Sequence, residues 1–176
     1  SSSSSDCPLP SVAAGMPMSA TPAAPMTKWE SRSTAAFRTF SANGDVTGTS
    51  HGASDYWVIK LTATGNIEWD RLYGGAGNET RGYALQASDG GYIIAGRATN
   101  SKGTGDVENF AGPGNDFCWI VKISASGTLQ WQKLYGNTGG GSSYPNAIAS
   151  TADGGSIVTG FYYGPTNTPD IWVFKI

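Results

Sequence analysis

The chain has 176 residues, enough for one domain or one array of repeats with a buried core. Only 14% of residues are charged, 11 basic against 13 acidic, and no basic run occurs. That argues against a nucleic-acid partner, which needs clustered Lys and Arg, and the absence of any stretch of about 18 apolar residues argues against a membrane-spanning helix.

Residues 1–35 read as a Ser/Pro/Ala-rich arm or as the degenerate start of a first unit. The opening "SSSSSDCPLP" suits either a processed mature chain or a cut piece of one, with any signal peptide already removed. The stretch "CPLPSVAAGMPMSATPAAPMTKW" holds five of the nine prolines and no charge before Lys28. It is too proline-rich for an inner strand. It suits either an extended strand or tether laid on a neighbour, or a solvated linker or stalk. Cys7 and Cys118 are compatible with one disulfide in an exported protein. They are equally compatible with a buried thiol at Cys118 and a free or inter-chain thiol at Cys7.

From residue 36 the chain reads as β units: 36–65 as the end of a first, 66–123 as a second and 124–176 as a third. Three segments match: "DYWVIKL" at 55–61, "DFCWIVKI" at 116–123 and "DIWVFKI" at 170–176. In each, Lys follows Trp by three positions, as in Trp57 and Lys60, Trp119 and Lys122, Trp172 and Lys175. Turns "TATGN" and "SASGT" follow the first two, and "WDRLYGG" from Trp69 then matches "WQKLYGN" from Trp131. "YALQASDGGYIIAG" and "NAIASTADGGSIVTG" match in turn, ending at Gly96 and Gly160. Five of the six tryptophans therefore sit at repeat positions, with Trp29 the exception.

Each full unit reads as four short strands. Trp57, Ile59 and Leu61 alternate onto one face, with Val58 and Lys60 on the other. Gly65 and Gly127 suit positive-φ hairpin ends, and the Asp-Gly-Gly triplets at 89–91 and 153–155 suit tight turns. Gly96 and Gly160 are expected where a side chain would strike a neighbouring sheet. No segment has a helical period.

From about Asn43 to Ile176 this pattern resembles the secreted bacterial and archaeal β-propeller repeats of the "DxWvvKld-sGn-xWqktyGG…DGGyivaG" type. The residues that carry the likeness are Asp55 to Leu61, Gly65-Asn66, Trp69, Tyr73 to Gly75 and Asp89 to Gly96, with their second copies. The resemblance implies an all-β fold of four-stranded, blade-like sheets and no single activity. Its structural positions would be Trp57, Trp69, Trp119, Trp131, Trp172, Gly96 and Gly160.

Propellers close with about four to eight blades, and this chain supplies two full units and a degenerate one. Three arrangements cover the open edges: a ring closed between chains, three sheets packed as a prism within one chain, or a filament, and the expectation is self-association through open sheet edges and the arm. The expected setting is extracellular or at the cell surface.

No cofactor is expected, and no catalytic set is legible. His51 is a lone loop histidine without a Ser–His–Asp context. Asp55, Asp116 and Asp170 recur at one repeat position, and Asp89 and Asp153 at another, which suits turn-capping better than catalysis. Glu68 and Asp70 become Gln130 and Gln132 in the next copy and read as surface. Asp45 and Asp106 are weak calcium candidates, since their short "GDV" motifs lack a full binding loop. Tyr73, Tyr135, Tyr144, Phe161, Tyr162 and Tyr163 are candidate ligand or interface aromatics, with glycans the alternative partner. Asn78-Glu79-Thr80 is a glycosylation sequon.

Overall fold

The structure is a computed structural model that describes residues 34–39, 46–111, 114, 116–136, 141–164, 166 and 168–176. Ten strands follow in order: β1 (Thr34–Thr39), β2 (Asp55–Leu61), β3 (Ile67–Tyr73), β4 (Asn78–Gln86), β5 (Tyr92–Thr99), β6 (Asp116–Ile123), β7 (Leu129–Tyr135), β8 (Ser142–Ser150), β9 (Ser156–Tyr163) and β10 (Pro169–Lys175). The fold is all-β, with open sheets and no helix among the described residues.

Hydrogen bonding groups the strands as a three-stranded sheet, β1-β2-β3, and a seven-stranded sheet, β10-β9-β8-β6-β5-β4, with β7 also on β6. The larger sheet is two antiparallel meanders, β4 to β7 and β8 to β10. Among the described residues one parallel pair joins them, Asp116 with Ser142. The equivalent parallel bridge, Ser54 with Asn78, joins the first meander to the second. The meanders thus break after β3 and after β7. β3 and β7 are the hairpin partners of the strands before them, β2 and β6. Of the arm, only Thr34 and Ala35 lie among the described residues, in β1.

Turn chemistry fixes these hairpins. Gly65 and Gly127 have φ of 85° and 80°, and Gly90 and Gly154 have 81° and 87°, values that glycine adopts without strain. Asp89 accepts a bond from the Gly91 N–H at 2.9 Å, and Lys122 Nζ reaches the same carboxylate at 2.8 Å. The Asp153–Lys175 pair repeats this pinning one meander later.

In the middle meander β5 and β6 are buried on both faces and divide their side chains between two cores. Tyr92, Ile94, Phe117, Trp119, Val121 and Ile123 pack with Tyr56, Val58 and Tyr73 of the first meander. Ile93, Ala95, Cys118 and Ile120 pack with Val158, Trp172 and Phe174 of the third. The expected alternation in β2 is present, but the buried face is that of Tyr56 and Val58, while Leu61 is exposed. Gly96 permits the first of these contacts: a Cβ there would lie 2.3 Å from Tyr56 Oη. Gly160 instead faces the backbone of its own neighbour strand, 2.0 Å from the Tyr144 carbonyl oxygen.

Candidate functional site

Each tryptophan at the centre of the repeat motif needs an acceptor for its indole N–H. Trp57 Nε1 donates to Asp70 Oδ2 at 3.0 Å, and Trp119 Nε1 donates to Gln132 Oε1 at 2.8 Å. Asp70 and Gln132 occupy the same repeat position on β3 and β7. Neither is the plain surface residue that the sequence suggested: Asp70 is buried and also accepts from the Thr47 N–H and hydroxyl. Burial works against its ionisation, but the Thr47 and Trp57 bonds outweigh that and lower its pKa. Trp172, the third member, lies on β10, which has no outer neighbour strand among the described residues.

The repeated aspartates tie one meander to the next. Asp116 accepts two bonds from Arg97, at 3.1 and 2.6 Å, one from Thr99 and one from the Ser142 hydroxyl at 3.0 Å. Its burial raises the pKa, yet these partners hold the carboxyl below the ordinary value. Asp55 stands at the first such contact, and Asp170, exposed, at the end of the third meander. Further links run from Trp69 Nε1 to the Ala125 carbonyl at 3.1 Å and from the Tyr73 hydroxyl to the Gly127 carbonyl. Trp131, the counterpart of Trp69, is exposed.

Apolar side chains are exposed on the first and on the third meander. On the first meander Leu61 is 37% exposed and Ile67 46%, beside the half-buried Trp57 and Ile59. On the third, Ile171 is 80% exposed, Val173 53% and Phe161 41%. Ile171 and Phe161 are direct cross-strand partners, so the patch is continuous across β9 and β10.

The candidate aromatics separate into two groups. Tyr73 is buried, with burial pushing its pKa well up, and it is out of reach of a ligand. Tyr135 packs on Trp172 and Phe174, at 6.4 and 4.5 Å between ring centres, in the core between the second and third meanders. Tyr144 and Tyr163 meet edge to face at 5.5 Å, and the Arg97 guanidinium lies 4.6 Å above Tyr144. Phe161 and the half-buried Tyr162 complete that end of the third meander.

Cys118 is a free, fully buried thiol, and burial raises its pKa strongly. Cys7, the other member of the expected bridge, and Asp45 lie outside the described residues. Asp106 accepts from the Gly74 N–H at 3.2 Å, and no group of three His, Cys, Asp or Glu is placed to hold a metal among the described residues. The Asn78 side chain accepts from the Ser54 hydroxyl at 3.2 Å, so this sequon sits at the contact between meanders. His51 lies 3.6 Å from Asp55 and 3.7 Å from Asp106. Asp55 and its neighbour Glu79 are fully buried, so neither carboxyl can meet a substrate directly.

No protein-family model matches the chain, and no curated protein matches it significantly.

Proposed function

We propose that the chain is a non-enzymatic structural or adhesive protein of the extracellular space or cell surface, built from propeller-blade-like units that associate head to tail between copies. One observation carries this reading. Ile171 and Val173 hold the repeat positions of Tyr56 and Val58, which are both fully buried against the second meander. The surface that covers Tyr56 and Val58 includes Trp119, Val121 and Ile123, and their repeat counterparts in the first meander are Trp57, Ile59 and Leu61, of which Leu61 is exposed. Each end of one copy thus carries the counterpart of what the other end lacks.

A contact between unlike faces generates a ring when its rotation closes and a filament when it does not. Two copies would bring six units together, within the four to eight that close a propeller. The proline-rich arm is an additional tether in this reading.

A carbohydrate-binding module is the second reading. A cleft of about 620 Å³ between the β4–β5 and β8–β9 hairpins favours it, because its lining offers Gln86, Ser88, Tyr92, Ser150, Thr151 and Ser156 and no charge. Light scattering with negative-stain microscopy of the 176-residue chain tests the first reading. Particles of two or more copies, as rings or fibres, are expected. A monomer at every concentration, binding glycans on an array, would overturn it in favour of the second.

A further inference from the structure

The contact between the first and second meanders carries a charge problem that the next contact does not. Asp55 on β2 and Glu79 on β4 are both fully buried. Each keeps one oxygen without a hydrogen-bond partner, Asp55 Oδ1 and Glu79 Oε1. Their other oxygens accept from backbone: the His51 N–H reaches Asp55 Oδ2 at 2.8 Å, and the Gly75 N–H reaches Glu79 Oε2 at 3.0 Å. The two carboxyls converge on Gly74, where a Cβ would lie 2.1 Å from Asp55 Oδ1 and 2.5 Å from Glu79 Oε2. At the second contact the aspartate is Asp116, neutralised by Arg97, and the residue after the bridge is Ser143.

Two neighbouring carboxylates in a buried site cannot both ionise cheaply. Asp106, from the connection between β5 and β6, adds a further negative charge. His51 lies between Asp55 and Asp106, Tyr56 is beside them on β2, and the register places Arg38 of β1 opposite Tyr56.

We propose that Glu79, buried beside Asp55, keeps its proton in the folded chain, and that loss of this proton loosens the first meander from the second: the contact is a proton-operated latch. Burial is the main cause that pushes Glu79 up to about 7. Bonds from Ser101 and Gly75 oppose it, and the charges of Asp55 and Asp106 add to it. The folded chain therefore holds this proton more tightly than the unfolded chain, whose glutamates titrate near the ordinary value of 4.5. The contact is strongest below that ordinary value. It weakens as pH rises towards about 7 and changes little above it. A shift of this size corresponds to a change on the order of a hundredfold in the opening equilibrium.

Two amides report directly on the latch. The Glu79 N–H donates to the Ser54 carbonyl at 2.8 Å, and the Ala53 N–H to the Gly77 carbonyl at 2.9 Å. Hydrogen exchange of the full chain, read as protection factors from pH 4.5 to 8.5, is the test. Protection of these two amides should fall about a hundredfold, with the transition ending near pH 7, while the β8–β9 ladder stays unchanged. Glu79→Gln should abolish the dependence. Asp55→Asn should move the transition to lower pH by removing a like charge, so the test survives a failure of either variant to fold. Flat protection in the unmodified chain, or the same transition in both variants, would overturn the latch. So would restored protection at pH 8.5 on adding millimolar calcium, which would make the pair a cation site instead.

Discussion

Replacing Trp119 by Ala should destabilise the chain by about 3–5 kcal/mol, the range for removing a buried aromatic from a core. Trp119 is fully buried and stacks on Tyr56 with ring centres 5.1 Å apart. Its loss leaves a cavity between two sheets, because β5 and β6 are held from both sides and cannot collapse into it. Its indole also satisfies Gln132, which would keep only the Glu108 N–H, at 3.2 Å. Urea unfolding should show a lowered midpoint with little change in slope. Trp131→Ala, an exposed member of the same repeat, should cost under about 1 kcal/mol. Equal losses for the two tryptophans would contradict the placement of the core.

The largest effect on assembly should come from Ile171→Asp combined with Val173→Asp. Both side chains are exposed in the single chain, so the variant should fold and lose no more than about 1 kcal/mol of unfolding free energy per site. At a contact between copies, however, two carboxylates would be buried without partners, which costs several kcal/mol. Association should weaken by at least about a hundredfold, visible as a shift to monomer by light scattering. Lys60→Ala is the control: its ion pair with Glu68, at 2.7 Å, is a surface pair, and its loss should leave the mass unchanged.

The all-β class was legible because the sequence writes the same strand and turn motifs several times. The Asp-Gly-Gly turns and the Trp-to-Lys spacing need only local chemistry, so hairpins and strand identity could be read from composition and period. What depended on distant partners was hidden. Which face of β2 is buried is decided by the neighbouring meander, and the sequence offers Trp57 and Val58 as equally apolar choices. Asp70 and Gln132 looked like surface because polar residues on a strand usually are. Their role as indole acceptors needs the β2–β3 and β6–β7 registers. Even so, the shared position of Asp70 and Gln132, both able to accept a hydrogen bond, was a signal that substitution by Lys or Leu would have erased. Glu79 carried no signal at all: it sits inside a sequon, and only the packing of β4 against the first meander buries it. Tyr73 and Tyr135 were drawn to the surface by their nearness to loops, although the strand ends that carry them point into the cores.

The head-to-tail contact can be read directly by placing a photoreactive benzoylphenylalanine at Val173 and mapping the cross-linked peptides by mass spectrometry. Irradiation should join residue 173 of one copy to the segment from Trp57 to Arg71 of another, with yield rising with protein concentration. Adducts confined to the chain's own β9, or links between two copies of residue 173, would contradict the account.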